Sequence, residues 1–347
     1  MKHFELHIIQ SVPVACLNRD DLNSPKTAMF GGVQRARVSS QSWKRAIREL
    51  AKEIAPERFR GERTRLLYEP LKQALENEGL SSNDAEKGAE EIVDALVKID
   101  KKSKDKVKST TLYFMSPQEC ETLAKAYKES QNAKKALKKV TAEAFNDAAD
   151  ISIFGRMVAN DHSLTVEGAA MFSHALSTHR ADNEIDFFSA VDDLQPKEEA
   201  GAGMTGTLEF NSATYYRFAA LNLDMLADEG HLGALSQEER QAVVAAFIEA
   251  TIKAIPSARK NTMNANTMPA YVLGVVRNEG HPVQLVNAFE KSLPSSAKGY
   301  TQESIESLRA EYQKLKETWD ITAVFEKAIP TDLNFRTFIE EVIRHVP

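Results

Sequence analysis

A block from about residue 58 to 150 reads as almost wholly helical, and it stands between two stretches of different character. Few β-branched runs interrupt it, and "SPQE" at Ser116 to Glu119 is a capping box with proline at the first helical position. Ahead of it, "HFELHII" alternates and puts Phe4, Leu6 and Ile8 on one side of a first strand. A polar loop, "CLNRDDLNSPKTAMFGG", follows and is longer than ordinary connections. A helix then starts at Ser39 or Ser40. Trp43, Ala46, Ile47, Leu50 and Ile54 form its apolar face, and Gln41, Lys44, Arg45 and Arg48 share the other. Behind the block the chain turns β-rich. A helical block in that position is the pattern of an insertion and not of a second domain in series. The class implied is α+β: a sheet with helices, one helical insertion and one projecting hairpin.

The hairpin is read between Glu184 and Leu223. There "EIDFFSAVDDL" and "GTLEFNSATYYRFAALNL" flank "QPKEEAGAGMTG", which has the Gly and Pro content of a flexible tip. Phe187 and Phe188 are adjacent, so on an extended arm they point to opposite faces. Pattern alone puts both in the core; the alternative leaves one free for a base or a neighbouring subunit. Met157, in "FGRM", is a core residue by the same default. Ser236 to Glu239 caps a helix through Ile255, "AYVLGVV" reads as a buried strand, and "VQLVNAFEKSL" as a helix. Thr301 opens a further helix, and a last helical stretch ends the sequence.

Charge is distributed unevenly over the 347 residues. The formal net charge is −6, yet residues 1–65 hold thirteen Lys and Arg against seven Asp and Glu. Lys98 to Lys108 contains six lysines and two aspartates, and Lys125, Lys128, Lys134, Lys135, Lys138 and Lys139 follow. A polyanion partner requires such lopsidedness, although solvated lysine faces are commoner. Backbone N–H groups at the start of the helix after "GGVQRARVSS" favour anions, and Ser39 and Ser40 add hydroxyls. With Arg19 and Lys26 in the preceding loop and Gln41, Lys44 and Arg48 on one helix face, a phosphate-lined groove is geometrically reasonable. An ordinary amphipathic helix with a solvated basic side fits the same pattern.

Catalysis finds little support. "NRDD" at Asn18 to Asp21 and "VDD" at Val191 to Asp193 offer paired carboxylates that could hold Mg²⁺, but such pairs more often make turns. There is no HExxH, GxSxG, P-loop or CxxC, and His174 and His179 lack an acid at motif spacing. No cofactor is expected. Cys16 and Cys120 are far apart, no run of 18 apolar residues occurs, and "MKHFELHIIQSVPV" lacks a signal-peptide layout. A reducing, cytoplasmic setting without membrane contact is the expectation.

Together these stretches resemble the CasC-type backbone subunits of Cascade, the type I-E CRISPR surveillance complex. The matching pieces are "CLNRDD", "FGG", "RVSSQSWKRA", "GRM", "GAAMFSHALSTH", "EIDFFSAVDDLQ", "EFNSATYYRFA" and "NAFEK", in family order across residues 16 to 291. The resemblance implies an RRM-like (ferredoxin-like) palm over residues 1–57, 151–181 and 213–347, the last part with C-terminal helices. It also implies a helical finger over 58–150 and a β-hairpin thumb over 182–212. The implied role is non-catalytic: copies polymerise along a guide RNA (crRNA), kink it at regular intervals and present segments to target DNA beside other Cascade subunits. By the same resemblance Arg19, Lys26, Ser39, Gln41, Lys44 and Arg48 contact the guide backbone. Met157 and Phe188 bracket the kinked nucleotide, and Lys134, Lys135, Lys138 and Lys139 touch target DNA. Arg48 stands where the family often has lysine, and Phe187 replaces a tryptophan. The competing reading is a metal-dependent ribonuclease using Asp20 or Asp21, by analogy with type III backbone subunits. A third is a scaffold that binds only proteins.

Overall fold

Strand β1 (His3–Ala15) is buried along most of its length and extends well past the alternation that announces it. Phe4, Leu6 and Ile8 enter one apolar cluster, while Ile9 enters another on the opposite face. The intervening His3, Glu5 and His7 are buried as well, because they satisfy one another. Glu5 accepts from His3 Nε2 at 3.0 Å, from His7 Nε2 at 3.3 Å and from Arg277 Nη2 at 2.6 Å. Burial alone would raise the Glu5 pKa, but the two histidine bonds and the Arg277 charge hold it well below the usual carboxylate range. The computed structural model describes residues 1–100, 102, 107–158, 160–191, 202–256, 258–259 and 261–347.

The second half of the expected polar loop is a hairpin. β2 (Thr27–Phe30) pairs antiparallel with β3 (Val33–Val38). The two residues between them, Gly31 and Gly32, have φ of +60° and +76°, as a two-residue turn matched to strand twist requires. Helix α1 (Ser40–Ile54) begins where the serines predict and buries Trp43, Ile47 and Ala51.

The region from 58 to 150 is less uniformly helical than its composition suggests. β4 (Glu62–Thr64) pairs with β5 (Tyr113–Met115), apart from the main sheet. Tyr113 and Met115 enter one apolar cluster and Phe114 enters another, a division that a strand achieves and a helical turn does not. Between and after these strands come α2 (Tyr68–Asn77), α3 (Ser82–Val97), α4 (Pro117–Ser130) and the five-residue α5 (Ala133–Leu137). Ser116 caps α4 as expected. These helices close on an apolar cluster of their own, from Leu67 to Leu137 with Val158 and Leu164.

The chain then forms α6 (Ala149–Phe154), β6 (Ala170–Phe172), β7 (Ala175–Ser177), β8 (Glu184–Val191) and β9 (Ala202–Asn222). α7 (Leu223–Ala227), α8 (Gln237–Lys253), β10 (Tyr271–Arg277), α9 (Thr301–Trp319), β11 (Phe325–Ile329) and α10 (Phe335–Ile343) complete it. The predicted capping box at α8 is present, and α9 starts at Thr301. Sequence pattern gave no sign of β11. "VQLVNAFEKSL" makes only a 3₁₀ turn over Val286–Phe289. Arg35 Nη2 takes the carbonyls of Phe289, at 2.8 Å, and Glu290, so those groups serve another partner.

The result is a mixed α+β chain with a central antiparallel sheet, in the order β11–β10–β1–β9–β7–β3–β2, with β6 and β8 also on β9. α1, α8 and α10 share the cluster on one face, and α9 covers the other through Leu308 and Tyr312. β9 does two jobs. Its first part makes a two-stranded ribbon with β8, and Asn211 to Asn222 continues into the sheet beside β1. Residues 192–201 at the ribbon's end, with Asp192 and Asp193, lie outside the described residues.

Candidate nucleic-acid interface

Ser39 sets the site by fixing where α1 begins. Its Oγ accepts from Ser42 N at 3.2 Å, and its own N–H donates to Asn18 Oδ1 at 3.0 Å. The residue is buried, so its first task is to cap the helix. The next N–H, of Ser40, donates to His174 Nδ1 at 2.9 Å and brings that ring to the helix start. His174 is exposed, and its pKa is lowered by partial burial and then by the charges of Arg37 and Lys26. Arg37 Nε is buried with no hydrogen-bond partner among the described residues.

From this end a row of cations continues along α1. Gln41 is exposed, while Lys44 and Arg48 are half-buried one turn apart. Lys44 Nζ sits 5.5 Å over the Phe172 ring. Burial, and then the nearby Arg63 charge, lowers its pKa. Arg48 and Arg63 share the Phe114 ring, at 5.3 Å and 4.5 Å from its centroid. Burial and Arg48 lower the Arg63 pKa, with Asp150 opposing. Lys44 and Arg63 are thus each crowded by a neighbouring cation, and an incoming anion relieves that field. Arg48 also donates to the Gly61 carbonyl at 3.4 Å.

The row ends at a cleft of about 480 Å³ lined by Arg63, Leu112, Phe114 and Met157, among others. Met157 is 82% exposed and Leu112 62%, so the sequence default that made Met157 a core residue is overturned. Arg156, just before Met157, turns inward, donating to both oxygens of Glu119 at 2.8 Å, and Gly155 has φ +78°. The inward arginine and the glycine turn its neighbour out.

Both phenylalanines of β8 lie outside every apolar cluster, against the expectation that both are core. Phe187 is 67% exposed on the same face as Ile185. Phe188, half-exposed, lies opposite Gly206, and its ring occupies the space a Cβ there would need, at 2.7 Å. Lys134 and Lys135 are exposed on α5, but that helix ends at Leu137. Lys138 and Lys139 therefore follow it and do not extend its faces. None of the four forms an ion pair among the described residues. Lys101, Lys104 and Lys106 lie outside those residues.

Arg19 stands apart. Its Nη1 donates to Asn23 Oδ1 at 3.1 Å, and with Arg45 it lines a polar recess of about 550 Å³ on the other flank of α1 from Lys44. Asp20 Oδ1 accepts from Leu22 N at 2.9 Å and Ser24 N at 3.0 Å, which makes it a loop-forming residue. Asp21 is exposed. Among the described residues no three His, Cys, Asp or Glu side chains come together as a metal-ligand set, and no helix is long and apolar enough to cross a membrane.

Residues 4–337 match the family described as CT1975-like protein. The chain belongs to that family. The CT1975-like chain matches none of the curated proteins. Among solved structures it is similar to a chain of a "CRISPR RNA-guided surveillance complex, pre-nicking". The two share 29% identity and a TM-score of 0.83, over 99% of this chain and 100% of that one. A chain of a "CRISPR RNA-guided surveillance complex" shares 26% identity with it at TM-score 0.72, over 99% of each chain.

In the CT1975-like chain the fold thus brings Lys26, Ser39, Gln41, Lys44 and Arg48 to one side of α1 and leaves Arg19 on the other flank. It adds Arg37, Arg63 and His174, which sequence reasoning missed. Ala36 and Val38 face the core, so the alternation of "VQRARV" already placed Arg37 on the opposite side of β3. Arg63 had no such signal, because its segment was read as helix.

Proposed function

We propose that the CT1975-like chain is a guide-RNA-binding, non-catalytic backbone subunit of a type I-E CRISPR surveillance complex. The observation that carries this reading is the row of cations from Lys26 past Arg37, Lys44 and Arg48 to Arg63, over a helix start and beside an apolar-rimmed cleft. Likeness to chains of RNA-guided surveillance complexes supports it. Phosphates follow the row, and Met157 and Phe188 bracket a displaced nucleotide on successive copies. In this reading the sheet and its helices (1–57, 151–181, 213–347) are an RRM-like palm, 58–150 the finger and 182–212 the thumb. Copies polymerise along the crRNA in the cytoplasm beside other Cascade subunits. Lys134, Lys135, Lys138 and Lys139 meet target DNA. Sequence readout belongs to the RNA, and the protein holds backbone and shape.

Purified chain should carry RNA, visible by absorbance and identifiable by sequencing as repeat-derived guides. Protein free of nucleic acid, with no salt-dependent affinity for added guide, would return it to a protein scaffold. Incubation with Mg²⁺ and complementary RNA tests the ribonuclease reading. Regularly spaced products that disappear in Asp21→Ala would establish it. The loop-bound carboxylate of Asp20 gives that reading no support.

A further inference from the structure

Arg217 on β9 is a buried cation that no carboxylate meets among the described residues. Its guanidinium lies 3.7 Å from the centroid of Trp43 on α1, and it donates to the Gln10 side chain and the Thr251 carbonyl. All three partners are neutral. Burial pushes its pKa down to about 9, so it stays charged at neutral pH. Stacking on indole and bonding to neutral oxygens spread that charge without cancelling it.

Arg217, Trp43, Ser173 and Thr251 line one small void, with about 10 Å³ open to a particle the size of water. Three polar atoms of this lining are buried without a partner among the described residues: Trp43 Nε1, Ser173 Oγ and Thr251 Oγ1. Indole N–H can only donate, hydroxyls can donate, and guanidinium only donates. No acidic side chain lines the void. Thr251 lies in the last turn of α8, where its hydroxyl could return to the carbonyl one turn back, yet it has no partner among the described residues. The residues come from α1, α8, β9 and the link between β6 and β7, so the void lies where both helices pack onto the sheet.

We propose that this void is a buried halide site, occupied by one chloride held by Trp43 Nε1–H, Ser173 Oγ–H, Thr251 Oγ1–H and the charge of Arg217. A water molecule fits the volume and satisfies the donors, but it leaves the cation uncompensated. A monatomic anion, somewhat larger than water, meets the same donors and supplies the counter-charge. Oxyanions are too large for the space. The bound ion ties Trp43, and with it the helix that displays Lys44, to the sheet. This assignment is independent of the RNA reading and survives its failure.

Thermal unfolding of the full chain, freed of nucleic acid, should be followed at fixed ionic strength while sodium gluconate is replaced by sodium chloride. Chloride should raise Tm saturably by about 2–4 °C, and bromide should act similarly. Ser173→Ala with Thr251→Val keeps the packing and removes two donors, and it should abolish most of that rise. Crystals grown in bromide should show an anomalous peak beside Trp43 Nε1. Identical melting in the two salts, or density there without anomalous signal, would mean water only and overturn the assignment. Arg217→Met should lose the halide response entirely. Should that variant fail to fold, the double variant and the bromide peak decide.

Discussion

Lys44 and Arg48 are neighbours on one helix face, yet they answer to different constraints. Lys44 touches a ring and little else, whereas Arg48 stacks on Phe114 and bonds to the Gly61 carbonyl. Replacing both by Ala should weaken guide binding and lower the salt slope of log K by roughly one unit per lost phosphate contact. Titration at several salt concentrations checks this, and an unchanged slope would mean that both side chains serve only packing. Ser39→Ala should act elsewhere. Because its Oγ caps α1, the loss should be about 0.5–2 kcal/mol of stability. Urea melts should register that cost while the salt slope of RNA binding stays as it was.

Elements show how far sequence carries. The ribbon of β8 and β9 was legible because turn-rich residues sat between two alternating segments. The exposure of Phe188 was not legible, since burial depends on what lies across the strand, and Gly206 is eighteen residues away. Phe188→Ala should leave Tm within a degree or two, because the ring joins no apolar cluster. It should also blur the periodic reactivity of a bound guide under chemical probing, with base–aromatic contact worth roughly 1–3 kcal/mol. A large fall in Tm with periodicity intact would make the ring a structural cover for Gly206 alone. α1, α4, α8 and α9 were legible at their starts through Ser39, Ser116, Ser236 and Thr301. The missing helix over Val286–Phe289 was not, because the groups that prevent it are remote in sequence. Arg35 holds the Phe289 carbonyl, and Gly31 lets the Glu290 carbonyl approach to where a Cβ would stand. Two pieces that look like separate motifs, "FGG" and "NAFEK", are thus one contact. The candidate site divides in the same way: residues on α1 could be read from one helix face, while Arg63 and His174 arrive through tertiary structure.

For the molecule as a whole, Asp150 sets a pH dependence. Burial pushes its carboxyl up to about 6, against the pull of Arg48, and its Oδ2 has no partner among the described residues. A folded-state pKa above the unfolded value means that the folded chain holds the proton more tightly. Stability therefore falls as pH rises from about 4 to about 6, by an amount on the order of 3 kcal/mol. Asp150→Asn should remove that slope, and urea midpoints at pH 4 and pH 7 in both proteins isolate it. Equal slopes would mean that Asp150 ionises freely in the folded chain. β9 carries a different consequence. It leaves the ribbon and, after one register shift, runs without interruption beside β1 from Ala213 to Asn222. A pull along the ribbon therefore loads that whole row of backbone bonds in shear, all at once, instead of peeling them one by one. Tension applied at the ribbon's far end should make it a stiff tether, yielding at higher force than the same strands unzipped from their ends.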